Sequence, residues 1–534
     1  MNYAKTLTII ATAVSCLFLS CKHSKNAELA VPKDASAIVH FNGATITAKA
    51  NWSNLLQTIW TMDEKEMNSA DKQLIEHPES SGIDLKNDFV YFTRQQGFSN
   101  YTALEGKLKE SSAFEKLMQQ KHTTKKVEEG NGFRYLQTGD AAFISWSNAK
   151  FIYIISQYSP TQSFGRKNNK TSISTDSLRK YLDDLYHLES SNSIETNERF
   201  TALLKEPGDI HYWVNSTQAI SAFNPGPFSL LGASPFLQGY TTAGAISFEN
   251  GKVVSKAKQY LSAALSQIAE KYNTQPVNAE MLKHVSPDAS VVVAVNYSPQ
   301  ALEEILRTSG AEAFANNYLQ GLHFRVQDFI QATKGQLLIT ISGIGAKKPT
   351  PKTMDEGLPA FQGSYLVALA TNNDTSLNYL TNLIQQQLPV FTSKTANNWF
   401  VVGSSADAID QFFATNNNHP LGDKIGGHPV GIYLNLQKAM QSLNHNEGKD
   451  SAVLRQAELS EKFWQDAVIT GGEYKDGFIG FETTVNLMDK STNSLQQLVN
   501  YAIQMMKARK QGEMAESNLF IFPNRILKQA SLMD

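Results

Sequence analysis

The chain has 534 residues, 41% hydrophobic, 10% aromatic and 18% charged, which is enough to bury a sizeable core and excludes wholesale disorder. Forty-eight Lys and Arg against 50 Asp and Glu leave a net charge of -2, so the chain lacks the basic field that nucleic-acid binding needs. Both cysteines, Cys16 and Cys21, fall in the first 21 residues, and the body can hold no disulfide, thiolate nucleophile or Cys-ligated metal.

The N-terminus carries one positive charge, Lys5, then an uncharged apolar run from Thr6 to Leu19, then Ser20-Cys21. The run is too short for a membrane span and fits a secretory signal. A small residue before a cysteine resembles the lipobox of bacterial lipoproteins, although Phe18 stands where that pattern prefers Leu. This reading predicts a signal peptide over 1–20, lipidation at Cys21 and a tether over 21–30. No later stretch is long and apolar enough to span a bilayer.

From residue 31 the chain repeats itself. Residues 34–42 read Asp-Ala-Ser-Ala-Ile-Val-His-Phe-Asn, and residues 288–296 read Asp-Ala-Ser-Val-Val-Val-Ala-Val-Asn. Each predicts a turn feeding a strand, followed by helical periodicity. Two further strand–Asn–helix segments end at Asn215 and Asn435. Strands are expected at Tyr101–Leu108 and Tyr365–Ala370. Helices should follow them at Ala113–Gln120, opened by a capping box Ser112…Glu115, and at Ser376–Gln387. Asn250-Gly251 and Asp476-Gly477 predict type I′ hairpins, each leading into a strand and an amphipathic helix, near 259–272 and 493–508. The expected fold is α+β: two duplicated halves, 31–275 and 281–512, each a mostly antiparallel sheet with helices packed on one face. Residues 513–534 form a C-terminal extension.

A lipobox, a short spacer and Val-Pro-Lys-Asp-Ala-Ser at 31–36, with an echo at Val285–Asn296, resemble a family of Bacteroidetes lipoproteins built on a domain of unknown function. The echo departs from the opening motif, since Ser286 and Pro287 stand where Pro32 and Lys33 do. The resemblance implies an envelope address and this architecture, and brings no catalytic residues. In that group, acids soon after the lipidated cysteine accompany display on the cell surface. Here Lys22 and Lys25 precede Glu28, which favours the periplasmic face.

The usual chemical constellations do not emerge. The eleven histidines are scattered; His40 and His211 each share a strand face with their motif Asn, but their second-half counterparts are Ala294 and Gly431, so they read as structural. Ser177-Leu-Arg-Lys180 falls on a helical pattern without partner motifs. The run Gly343-Ile-Gly-Ala346 lacks a third glycine and is soon followed by Pro349. The acid pairs Glu128-Glu129, Asp183-Asp184 and Glu303-Glu304 diverge on either element type and read as solvated edges. No metal, cofactor or catalytic residue is expected, and the balance leans away from an enzyme.

The halves differ most at Ile210–Phe248, which contains no Asp, Glu, Lys or Arg. Its Pro- and aromatic-rich part cannot form a long helix, whereas its counterpart Asn446–Asp466 is a charged helical pattern. One reading is a plug between the halves. The other is an apolar lip that meets a partner protein, a lipid or an apolar ligand through Phe223, Phe228, Leu230, Leu231, Phe236 and Tyr240. The expectation is a lipid-anchored envelope binding or scaffolding module. The alternatives are a hydrolase with its site in a cleft between the halves, or an apolar-ligand carrier.

Overall fold

The structure, a computed structural model, describes residues 27–50, 52–54, 56, 69–96, 99–157, 173–215, 238–272, 274–320, 324–346, 361–372, 377, 391–415, 421–444 and 451–511. Cys16, Cys21 and five of the six lip residues (Phe223, Phe228, Leu230, Leu231 and Phe236) lie outside the described residues.

Runs of β-branched and aromatic residues set the strands. In chain order they are β1 Ala37–Phe41, β2 Phe89–Gln96, β3 Ser99–Lys107, β4 Glu128–Glu129, β5 Arg134–Gly139, β6 Ala142–Trp146, β7 Lys150–Gln157, β8 Ile210–Asn215, β9 Thr241–Glu249 and β10 Lys252–Tyr260. The second half adds β11 Ala289–Asn296, β12 Thr333–Ala346, β13 Phe361–Thr371, β14 Thr392–Ala396, β15 Trp399–Gly403, β16 Val430–Leu434, β17 Trp464–Lys475 and β18 Phe478–Leu487. All pair antiparallel in one continuous sheet. With the helices around it, the fold is α+β.

The strand order repeats. From its outer side inwards the first half runs β6-β7-β3-β2-β1-β8-β9-β10, extended outwards by β5 and β4. The second half runs β14-β15-β13-β12-β11-β16-β17-β18. Contacts around the repeated motifs also match. The Asn215 N–H donates to the Ser36 carbonyl at 2.8 Å, and the Asn435 N–H to the Ser290 carbonyl at 2.7 Å. The Asn42 N–H reaches the Asp209 carbonyl at 2.9 Å, and the Asn296 N–H the Pro429 carbonyl at 2.8 Å.

The halves join edge to edge, because β10 pairs with β18 from Lys252↔Asn486 to Tyr260↔Phe478. The centre of that register sets Lys256 against Glu482, and each is the fifth residue after its turn glycine, Gly251 or Gly477. Main-chain pairing gives an edge strand's unpaired N–H and C=O groups their partners. Outside the sheet, Lys271 and the Tyr272 hydroxyl donate to Glu304 at 2.6 and 2.7 Å. One of the acids expected to be a solvated edge therefore ties a first-half helix to a second-half one.

The two faces of the sheet differ. On the closed face, Ile38, Phe92, Val292, Ala294, Leu338 and Ala368 are 0–1% exposed. They pack against Leu178, Leu182 and Phe200 in the first half and against Met281, Ile409 and Ile425 in the second. Full burial of a Val, Leu, Ile or Phe among them stabilises by roughly 1.5–3 kcal/mol. On the other face a smaller cluster, Phe114 with Leu136, Trp146 and Phe151, covers the outer first-half strands.

Several local signals resolve differently from expectation. The helix Ser111–Lys121 has no side-chain cap: the Ser112 hydroxyl donates to Glu110 and Glu115 is taken by Arg134, so no capping box forms. At the β17–β18 turn Asp476 and Gly477 have φ of 52° and 82°, as type I′ requires, but at 250–251 only Gly251 is positive, at 68°. The first amphipathic helix starts at Ala263, later than expected, because β10 runs to Tyr260.

Candidate functional site

One row of side chains crosses the open face in direct cross-strand register. It passes from Val402 on β15 through Val367, Ile339, Val293, Ile432 and Ile469, then Thr483, Ser255, Ile246, Ile210 and Phe41, to Phe89 on β2. None of the twelve is fully buried, and Val367 is 41% exposed. In the adjacent row Tyr91 is 37% exposed. Ten of the twelve are apolar, and away from the join this face is less deeply buried than the other, although the helix Leu436–Asn444 lies against β11, β12 and β17. Strands apolar on both faces normally lie under a cover on each side, and a contiguous half-open apolar surface marks a place where something binds.

The uncharged stretch 210–248 feeds this region. Its two ends are β8 and β9, strands paired on both sides within the sheet. The uncharged character left to explain is the part between them. Of the lip residues only Tyr240 is described: half-buried, its hydroxyl donates to Gln259 Oε1 at 3.2 Å, and burial raises its pKa above the usual tyrosine range.

On the closed face the β1–β8 register brings His40 and His211 opposite each other, 171 residues apart in sequence. They are 6% and 2% exposed, and their Nδ1 atoms lie 3.2 Å apart. His40 Nε2 meets Asp88 Oδ2 at 3.1 Å, and His211 Nε2 meets the Glu206 carbonyl at 2.9 Å. The hydrogen bond from His40 holds the Asp88 carboxyl below its ordinary range, and the Gly43 N–H and Lys107 act in the same direction. Burial pushes the His211 ring down, partly offset by the Glu206 carbonyl. Reading the two histidines as separate structural residues missed this pairing, which depends on which strands are neighbours. Nearby, buried Asp209 receives Lys49 Nζ at 2.6 Å and the Phe248 N–H at 2.6 Å, tying β8 to β9 and to the helix Gly43–Lys49.

Beside the join on the closed face lies a groove of about 250 Å³ lined by Lys424, Val468, Thr470, Glu482, Thr484 and Asn486. Buried Asp466 orients it, accepting from Lys424 Nζ at 2.8 Å and Asn486 Nδ2 at 2.7 Å. At the corresponding first-half places stand Lys258, bound to Glu206, and Tyr260, packed under Arg199. Glu482 faces Lys256 and Asp466 is held by Lys424, so each carboxylate is already matched to a cation.

The other sequence candidates carry no site. Ser177 lies in the helix Thr175–Tyr186 capped by Ser174, and Gly343–Ala346 is the end of β12. Among the described residues no group of three or more His, Cys, Asp or Glu is placed to hold a metal ion, and no helix is long and apolar enough to cross a membrane.

Residues 28–306, just over half of the chain, match the profile of the family described as Domain of unknown function (DUF4836). The chain belongs to that family. The match spans the first half and the opening strand of the second, including both copies of the Asp-Ala-Ser motif. No curated protein matches. Among solved structures, crystal form I of TP0453 aligns at 13% identity and TM-score 0.27, over 46% of this chain and 82% of that one. Crystal form III aligns at 12% and 0.28, over 48% and 90%. At those scores the likeness carries no argument about this DUF4836 protein.

Proposed function

We propose that this DUF4836 protein is a lipid-anchored cell-envelope binding module, acylated at Cys21 and facing the periplasm, that holds an apolar partner through its uncharged segment and the open sheet face beside it. The observation that carries this reading is the half-open apolar row across the central strands, set back to back with a more deeply buried face. The signal-like N-terminus with Ser20-Cys21 supports the anchor, and the order of Lys22 and Lys25 before Glu28 supports the inward face. The matching strand order, motif contacts and central register support descent of both halves from one duplicated unit.

The apolar-ligand carrier is the second reading, favoured by the same row. The hydrolase reading has no geometry behind it among the described residues: the join is a paired strand edge, and the acids beside it are bound to lysines.

The test is a crosslinked pull-down from native membranes, comparing the intact protein with a variant carrying Phe223→Ser, Phe228→Ser, Phe236→Ser and Tyr240→Ser. A stoichiometric protein lost in the variant supports the binding module. Bound lipid in the intact protein, absent from the variant, moves the reading to the carrier. If neither sample holds anything, the uncharged segment is structural and the proposal fails.

A further inference from the structure

The hydrogen bonds around His40 and His211 limit how many protons the pair can hold. The Glu206 carbonyl can only accept, so His211 Nε2 carries a hydrogen, and in a neutral ring its Nδ1 is then an acceptor. The Nδ1–Nδ1 contact of 3.2 Å needs one hydrogen, which His40 Nδ1 must supply. Asp88, a carboxylate held ionised by its surroundings, needs a hydrogen from His40 Nε2. Two neutral imidazoles carry two N–H groups, and this chain of bonds uses three. The chain of bonds therefore has room for at most one proton beyond neutrality, which Asp88 would balance. A fourth would turn both Nδ1 atoms into donors facing each other, buried and without an acceptor.

We propose that His40 and His211 form a proton-counting clasp, which holds β8 against β1 near neutral pH and lets go on acidification.

The surrounding charges leave the fourth proton no counterion. Lys107 faces Asp88, Lys49 is committed to Asp209, and the Glu206 carboxylate is bound to Lys258. Glu105, across β2 on the same face, is bound to Lys150, and Lys256, two strands away, faces Glu482. The sign follows from burial of His211, which depresses its proton affinity below the ordinary value of 6.5. The unfolded chain then binds that proton more readily, so the clasp's stability is present above about pH 6.5 and is lost as pH falls below it.

The second half supplies an internal control, because Ala294 and Gly431 occupy the same places between β11 and β16. Hydrogen exchange on the intact chain, corrected for intrinsic rates, should show amides of β1 and β8 losing roughly tenfold protection between pH 7.5 and 5.5, with β11 and β16 unchanged. Equal changes in the two halves, or none in β8, overturn the clasp. Long-range proton–nitrogen NMR decides it without any variant: an Nε2–H tautomer is expected for His211 at pH 7.5, and a doubly protonated His211 ring in the folded chain at pH 5.5 refutes it. A His211→Gln chain should lose the pH dependence of exchange. Neither readout needs a partner, so a failed pull-down with intact pH dependence would sink the binding reading alone.

Discussion

Counting outwards from Lys256 and Glu482 along the closed face, the two halves take the same steps and reach different chemistry. On one side the row passes Ala245 to His211 and His40; on the other it passes Thr470 to Gly431 and Ala294. The strand pairings and the Asn–Ser and Asn–loop backbone contacts are shared, so main-chain pairing defines the architecture in both places. What differs is the lid over the row. In the second half the short helix Gly422–Ile425 lays Ile425 directly on Gly431. In the first half the Glu206 carbonyl comes down instead and takes a histidine N–H. One half closes this point by apolar contact and the other by a proton.

The sharpest way to break that comparison is to move a histidine across it. A Cβ on Gly431 would stand 2.2 Å from the Ile425 carbonyl oxygen and 2.7 Å from its Cβ, and the first of these is backbone that cannot step aside. Gly431→His should therefore cost more than about 3 kcal/mol in urea denaturation. A cost under about 1 kcal/mol would mean that the lid is loose and that the halves do not differ sterically at this place.

The next largest effect compares the two faces through neighbours on β12. Leu338 points into the closed face and is 0% exposed; Ile339 lies in the open row. Leu338→Ala should destabilise by about 2–5 kcal/mol, and Ile339→Ala by about 1 kcal/mol. Equal losses would show that the open face is sealed in the free protein, and the binding reading would lose its support.

Much of this fold is legible in the residues themselves. The Asp-Ala-Ser strands, both hairpin positions and the repeated order follow from local spacing. The Asp-Ala-Ser motif is structural: Asp34 pairs with Arg94, and Ser36 donates to the Thr93 carbonyl. What stays hidden depends on strand neighbours. Nothing near His40 or His211 announces the other, because their meeting requires β8 to return beside β1 after more than 160 residues. Nor does alternation in β10 show that its edge pairs with β18. The uncharged stretch reads as one anomaly in sequence, although its ends are ordinary central strands. Local polar competition misleads as well, as at Ser112, where a neighbouring Glu110 takes the hydroxyl that a cap would use.

The smallest effect tests what holds the halves together. Lys256 and Glu482 sit at the centre of the join, 3.8 Å apart, with side chains 71% and 51% exposed. A pair so solvated gains little, and a double-mutant cycle through Lys256→Ala and Glu482→Ala should give a coupling below about 0.5 kcal/mol. If main-chain pairing carries the join, both halves should still unfold together in the double variant, followed by tryptophan fluorescence through Trp213 and Trp399. Separate transitions would instead make the side-chain contacts at the centre, and not the strand edge, the element that makes two halves one sheet.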